Sequence, residues 1–415
     1  MDSILQKVLK RVTPSKMGMK KVNEVINISK SMVEKKIKQK GINAEVFVGG
    51  SIAKGTWIKG HHDIDFFVRF NEKYKKEDIG SILKKIIESS FRNCVVLHGS
   101  RDYCKVMYKG YELEFIPVIE IQSPAQAENS MDASLFHVDY VRKKIKENPS
   151  LADEIRLFKA FSKAQGIYGA ETHISGISGY VTELMMIHYK SFKNLVKMSE
   201  KIKPPIFIDI EHHYQNEKEI RQVLSKPKLK SPIVLIDPVL KERNACASLT
   251  YKTFSHLLLS LRLFSRKHSI SFFNEKKLTL EDIKQKSIKR GTVLVHKKIK
   301  KTYPKEDVFL AKLKKKLERI SAEIKKEGIN IYDYGYIVKG NYILIYFELE
   351  TIKLSKMKKH YGPPVWINKE HFDAFINKWK NVYVENNNLA CDVKRKETNV
   401  KKIVSKILSK GIKDV

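Results

Sequence analysis

Two acids, Asp63 and Asp65, stand at alternate positions around the start of the apolar run Ile64 to Phe70, and this pattern restricts the fold more than any other stretch of the chain. Successive side chains of a strand point to opposite faces, so both carboxylates share one face while Ile64, Phe66 and Val68 line the other. The apolar flanks predict a central, largely buried strand, where an unpaired acid is costly. Two carboxylates ~4 Å apart at an effective dielectric of ~20 repel by about 4 kcal/mol, so the pair persists most readily with divalent cations between them. Upstream, with eleven residues between Ser51 and Asp63, Val48-Gly49-Gly50-Ser51 predicts a small-residue turn after a strand. Glycine has no Cβ, so backbone N–H groups there can approach a triphosphate closely. Hard oxygen ligands beside such a cradle suggest Mg²⁺ and a two-metal displacement, which is what nucleotidyl transfer requires. An isolated Asp-x-Asp is common on exposed strand ends, and here it is the apolar context that points to a metal site. A third acid comes from a strand predicted at Tyr111 to Val118, which carries Glu112 and Glu114 on one face and is expected to stop at Pro117.

The Gly-Ser turn, the Asp-x-Asp strand and the later strand acid together resemble the signature of the DNA polymerase β-like nucleotidyltransferase superfamily. Longer stretches resemble archaeal class I CCA-adding enzymes, which are tRNA nucleotidyltransferases: Val48-Gly-Gly-Ser-Ile-Ala-Lys-Gly-Thr-Trp57, Glu154-Ile-Arg-Leu-Phe-Lys159, Gly166-Ile-Tyr-Gly-Ala-Glu171, Ser175-Gly-Ile-Ser-Gly-Tyr180, and Ile236-Asp-Pro-Val239 with Arg243-Asn244. The likeness is specific from about Val46 to Phe273 and traceable through His360-Tyr-Gly-Pro-Pro364 to the end. It implies an α/β and α+β multidomain chain: a polymerase β-like nucleotidyltransferase head (1–140), a mainly helical, nucleotide-binding neck (141–268) and an α+β body with a helical tail that binds tRNA (269–415).

The resemblance also assigns roles. Asp63, Asp65 and Glu114 would be catalytic and would hold two Mg²⁺ ions, with Glu114, three residues before Pro117, serving the hydroxyl-side ion in preference to Glu112. Gly50, Ser51 and Lys54 would cradle phosphate, Lys159 and Tyr168 would contact the triphosphate, His137 would contact the nucleotide, and Arg243 would read the base with its fixed fork. Archaeal relatives typically carry Glu-x-Asp on the first strand, Asp on the later one and arginine at the position of Lys54. The implied reaction is in-line attack of the tRNA 3′-hydroxyl on the α-phosphate of CTP or ATP, releasing pyrophosphate, with C, C and A added without a nucleic-acid template. The implied partners are tRNA, through its acceptor stem and TΨC arm, together with CTP and ATP. Oligomeric state is open, a homodimer included. The same core also serves poly(A) polymerases, uridylyltransferases and oligoadenylate synthases, or an enzyme adding only part of CCA, but the neck motifs favour the full reaction. A catalytically dead RNA-binding protein would retain three costly acids without use.

Composition agrees with a polyanionic partner. Eighty Lys and Arg against 46 Asp and Glu give a formal net charge of +34, suited to phosphate neutralisation and counterion release. A lysine-rich proteome would produce the same excess, so charge alone selects no substrate. At 415 residues the chain has room for about three domains with real cores. Cys94, Cys104, Cys246 and Cys391 lie far apart without Cys-x-x-Cys spacing, which indicates neither zinc nor a disulfide framework and points to a reducing cytoplasm. No run approaches the ~18 apolar residues of a membrane span. Elsewhere the pattern predicts a helix ending at Gly41, an amphipathic helix from Glu77 to Phe91, helices across Ser134 to Phe192, and a helix from Leu249 to Lys267. Strands are predicted at Cys94–Leu97, Tyr103–Tyr108, Ile206–Ile210 and Ile233–Ile236. In the body, strands near Gly291–Val295, Tyr334–Val338 and Tyr342–Leu349 surround a helix from Lys305 to Lys326.

Overall fold

A computed structural model of the chain describes residues 1–60, 63–98, 101–276, 278–301 and 306–412, in two compact units, Met1–Lys276 and Lys277–Val415. In the first unit, helices α1 (Asp2–Val12) and α2 (Lys16–Gln39) lead into β1 (Ala44–Val48), the short α3 (Gly50–Ala53) and β2 (Asp63–Phe70). Then come α4 (Ile79–Ser90), β3 (Val95–Leu97), β4 (Tyr103–Tyr108) and β5 (Tyr111–Ile119). The five strands form one sheet in the order β1-β2-β5-β4-β3, in which only β2 and β5 run parallel. Alternation divides β2 as expected. Ile64, Phe66, Val68 and Phe70 are buried with α2 and α4, the Phe66 and Phe115 rings stacking at 4.9 Å, and the two acids occupy the opposite face.

Pro117 does not end the third-acid strand, which runs on to Ile119. Strand β4 pairs only as far as Phe115, so from Ile116 onward β5 has a neighbour on one side only. A residue without an N–H is tolerated there as it is on an edge strand.

The rest of this unit is mostly helical: α5 (Ser134–Glu147), α6 (Leu151–Ala164), α7 (Gly179–Tyr189), α8 (Phe192–Met198), α9 (Glu217–Val223) and α10 (Tyr251–Arg266), with the two-stranded β6 (Ile206–Ile208) and β7 (Ile233–Leu235). Its core gathers Phe158, Phe161, Phe192 and Phe264 with Leu184 and Leu261. Helix α1 adds Leu5, Val8 and Val12 to this helical core, whereas α2 packs on the sheet. The N-terminal helical region is therefore two helices with different cores, broken around Pro14. All four cysteines are free thiols.

The second unit contains α11 (Leu280–Arg290), β8 (Val293–Lys300), α12 (Glu306–Lys326), β9 (Ile331–Lys339), β10 (Tyr342–Leu349), β11 (Met357–Pro364), α13 (Lys369–Lys378), β12 (Tyr383–Glu385), β13 (Asn388–Lys394) and α14 (Val400–Gly411). Strands β8-β10-β9 form a sheet packed with Leu313, Leu317 and Ile320 of α12 and Val404 and Leu408 of α14. A second sheet, β11-β13-β12, buries Leu389 and Cys391 with Phe375 of α13. The strand expected at Gly291–Val295 instead spans Val293–Lys300, because Gly291 adopts φ +69° as the C-cap of α11. Lys305, the expected start of α12, lies outside the described residues. Among those residues, no helix is long and apolar enough to cross a membrane.

Candidate functional site

Parallel pairing of β2 with β5 sets the acids in register, with Asp63 opposite Glu112 and Asp65 opposite Glu114. Strands lie about 4.8 Å apart, so four carboxylates form a compact patch on the sheet face away from the main core. The turn after β1 closes over this patch. Gly49 N–H donates to the Asp65 carbonyl at 2.7 Å. Gly50 has φ +59°, and a Cβ there would fall 1.6 Å from Asp65 Oδ2, so only glycine lets the turn approach this closely. Ser51 follows in the first turn of α3, its carbonyl accepting from Thr56 N–H at 2.8 Å.

Burial first, then the neighbouring charges of Glu114 and Asp63, push the Asp65 carboxyl up to about 7 against the pull of Lys54 and Lys105. This is a carboxylate short of positive charge. Oxygen donors on the four carboxylates of this one face, one of them undercompensated, suit a hard divalent cation. Among the described residues no three acidic, histidine or cysteine groups are already drawn to ligating geometry. Instead Lys105 of β4, opposite Glu114 in register, reaches Glu112 Oε1 at 2.5 Å and Glu114 Oε1 at 3.0 Å. Lys105 was not anticipated from the sequence. Alternation along Tyr103–Tyr108 carried the signal, since buried Cys104 and Val106 turn Lys105 to the acid-bearing face.

The phosphate-binding side chains expected from the sequence converge on a residue the sequence reading passed over. Glu183 of α7 is almost completely buried and is held from two directions: Lys54 Nζ donates to Oε2 at 2.6 Å and Lys159 Nζ to Oε1 at 2.8 Å. Thr56 Oγ1 adds a hydrogen bond to Oε1 at 2.7 Å and accepts one from Lys159 at 2.9 Å. Burial opposes ionisation of Glu183, but Lys159 and then Lys54 overcome it and pull the carboxyl down to about 2. Burial depresses the Lys159 ammonium, partly offset by Glu183. The sequence did contain a signal, because one acid inside the apolar run Tyr180 to Ile187 must find a partner when the helix is buried.

Helix α6 fixes this arrangement. Arg156 donates to the carbonyls of Gly55 at 2.5 Å and Trp57 at 3.2 Å, and Lys159 lies on the same face three residues on. Lys163, a further turn along, places its ammonium 4.6 Å from the Tyr168 ring centroid. Tyr168 is packed so tightly against the start of α7 that a Cβ on Gly179 would lie 2.8 Å from its hydroxyl. Burial, then the fields of Glu183, Asp65, Glu171 and Asp63, raise that hydroxyl's pKa. Ser178 caps α7 by accepting from Val181 N–H.

His137 and Arg243 form a second group around Asp237. His137 Nε2 lies 3.0 Å from Asp237 Oδ2, a close contact without hydrogen-bond alignment, and Arg243 Nη1 donates to the same oxygen at 2.6 Å. Tyr180 donates its hydroxyl to Asp237 Oδ1 at 3.1 Å and sits 4.5 Å from the His137 ring. Burial would raise the Asp237 carboxyl, but His137 and Arg243 hold it well below the usual carboxylate range. Tyr180 and Glu183 lie one turn apart on α7, so this helix joins the group around Asp237 to the group around Glu183. Lys54 Nζ, 5.7 Å from the Tyr180 ring centroid, spans the gap. Arg243 also borders an open cleft of about 590 Å³ with His213, Lys228 and Lys241.

Three family models match the chain: "Nucleotidyltransferase domain" over residues 30–137, "tRNA nucleotidyltransferase, second domain" over 153–274, and "CCA-adding enzyme, C-terminal domain" over 290–413. The chain is 39% identical to the CCA-adding enzyme of Nanoarchaeum equitans over 81% of its own length and 80% of that protein's. It is 31% identical to the CCA-adding enzyme of Sulfurisphaera tokodaii over 98% and 92% of the two chains. Among solved structures, the Cid1 poly(U) polymerase superposes with a TM-score of 0.53 at 13% identity, covering 66% of this chain and 98% of that one, a likeness of fold.

Proposed function

We propose that this chain, which belongs to the CCA-adding enzyme family, joins nucleotides to the 3′ end of tRNA at the carboxylate patch of β2 and β5. It is a CCA-adding tRNA nucleotidyltransferase. The observation that carries the site assignment is the row of acids, Asp63 and Asp65 beside Glu112 and Glu114, under a turn that touches Asp65 through Gly50. Asp63, Asp65 and Glu114 would hold two Mg²⁺ ions, and these would supply charge neutralisation of the triphosphate and acidification of the attacking hydroxyl. The chain's own residues bind and aim. Backbone N–H groups around Gly50 and Ser51 meet the triphosphate, and Lys54 and Lys159, steadied by Glu183, face it from the helical side with the Tyr168 hydroxyl. Arg243, fixed by Asp237, presents its remaining donors to the base edge of CTP or ATP, and His137 backs the same group. The tRNA 3′-hydroxyl displaces pyrophosphate from the α-phosphorus, forming one phosphodiester bond as one phosphoanhydride bond breaks. The four free cysteines support a reading in which the reaction takes place in a reducing cytoplasm.

Glu114 and Glu112 share a face, and their substitutions separate them. Glu114→Gln lowers turnover on a tRNA ending before CCA by about 100-fold or more, and Glu112→Gln by less than about tenfold. Single-turnover incorporation of labelled CTP is the measurement. A reversed order would move the ligand role to Glu112.

Recognition of tRNA follows from the +34 charge and from a body without a recognisable base-reading module. A-form helices are read mostly through phosphates and 2′-hydroxyls, so shape and salt should govern binding more than acceptor-stem sequence. An acceptor–TΨC minihelix is extended nearly as well as whole tRNA, and duplex DNA of the same sequence is not. Product ladders at nucleotide resolution on substrates ending before CCA, after C and after CC test both this and the full reaction. A requirement for the anticodon arm, or loss of extension when the stem sequence is exchanged at constant salt, would refute the shape-reading proposal.

A further inference from the structure

Lys105 takes no part in the reaction as described, yet it is the cation closest in register to the proposed metal ligands. Glu114 lies between Lys105 on β4 and Asp65 on β2, so a cation and two acids stand in one row across three strands. The ammonium holds Glu114 Oε1 at 3.0 Å and Glu112 Oε1 at 2.5 Å. Glu112 pairs with Met107, which makes it the diagonal neighbour of Lys105, within reach of a flexible four-carbon stem. Both contacts are only partly buried, the Lys105 side chain being 28% exposed, so the ammonium can shift between them without leaving solvent. Glu114 thus has two competing uses, as partner of Lys105 and as proposed metal ligand, whereas Glu112, among the described residues, is seen paired with Lys105.

We infer that Lys105 is a displaceable internal cation that holds Glu114 in the absence of a divalent ion and withdraws onto Glu112 when a divalent ion takes the Glu114 carboxylate. The inference rests on the proposed metal site. It gives Glu112 a function, that of the second seat for the ammonium, and makes divalent-ion affinity the outcome of an internal competition. Removing the Lys105 charge should strengthen metal binding. Removing Glu112 should weaken it, because Lys105 then has only Glu114 to hold.

Simple electrostatics gives the same two signs, so the pair of substitutions must be tested for coupling. Mn²⁺ is titrated into the full-length protein without nucleotide or tRNA, and the free ion is followed by electron paramagnetic resonance. Lys105→Met binds Mn²⁺ roughly three- to tenfold more tightly than the wild type, and Glu112→Gln binds it several-fold more weakly. In the double variant the Glu112 effect vanishes and affinity stays at the Lys105→Met value. Lys105→Arg, which keeps the charge, stays within about twofold of the wild type. Additive effects, or unchanged affinity in Lys105→Met, overturn the inference. Should Lys105→Met fail to fold, unchanged or tighter binding in Glu112→Gln does so as well. Asp65→Asn separates this result from the underlying site: if Mn²⁺ binding is undiminished in that variant, the metal assignment is wrong and the role of Lys105 falls with it. If Asp65→Asn loses binding while the Lys105 and Glu112 effects add, the site stands and only the inference fails.

Discussion

Asp65→Asn abolishes nucleotide incorporation, by about 10³-fold or more, while the folded protein still binds tRNA. The residue sits where three features of the site meet: the register with Glu114, the alternation with Asp63, and the close approach of Gly50. Asparagine keeps the shape and removes the charge. Because that carboxyl is already pushed up to about 7 by burial and by neighbouring acids, its loss relieves repulsion, and the melting temperature does not fall. Activity and stability therefore separate, as expected of a residue selected for chemistry. Primer extension on tRNA ending before CCA, with filter binding and a thermal melt on the same preparation, checks all three statements. Substantial activity in the folded variant would refute the metal assignment.

Glu183→Ala destabilises the first unit by about 3–5 kcal/mol, the cost of breaking a buried charge network from one side. Lys54 and Lys159 would be left facing each other around an emptied site, with side chains only 9% and 3% exposed. Denaturant unfolding measures the effect, and a loss below about 1 kcal/mol would show that water reaches the lysines and the network is not structural. A pH series sharpens the test. The Glu183 carboxyl is lowered on folding, so its contribution is full above the ordinary carboxylate range near 4.5 and is lost as pH falls toward about 2. The stability gap between wild type and Glu183→Gln accordingly narrows through that window. The same change loosens Lys54 and Lys159, the lysines proposed to face the triphosphate, so KM for CTP and ATP rises in Glu183→Gln even where the protein is folded.

Alternation, turn chemistry and composition are properties of a few adjacent residues, and these were readable in the chain. The shared face of Asp63 and Asp65 needs only the two-residue period of a strand, and the turn at Gly49-Gly50 needs only the absence of a Cβ. Strand limits such as Tyr103–Tyr108 and Tyr342–Leu349 follow from local pattern as well. Pro117 misled because its cost depends on whether a neighbouring strand is present on that side, which is not a local property.

Partners distant in sequence were decided by the tertiary structure. Which later acid stands opposite Asp65 is a matter of strand register, and the β2–β5 pairing sets Glu114 there through contacts spread along both strands. That Lys54 and Lys159 meet at Glu183, and that His137 and Arg243 meet at Asp237, depends on α6 and α7 packing beside the Gly49-Gly50 turn. By itself the sequence determined the family and the residue types of the chemistry. Only the fold decided the charge balance around them, because burial and the nearest opposite charge set the ionisation of a side chain, and both are fixed by packing between segments far apart in the chain.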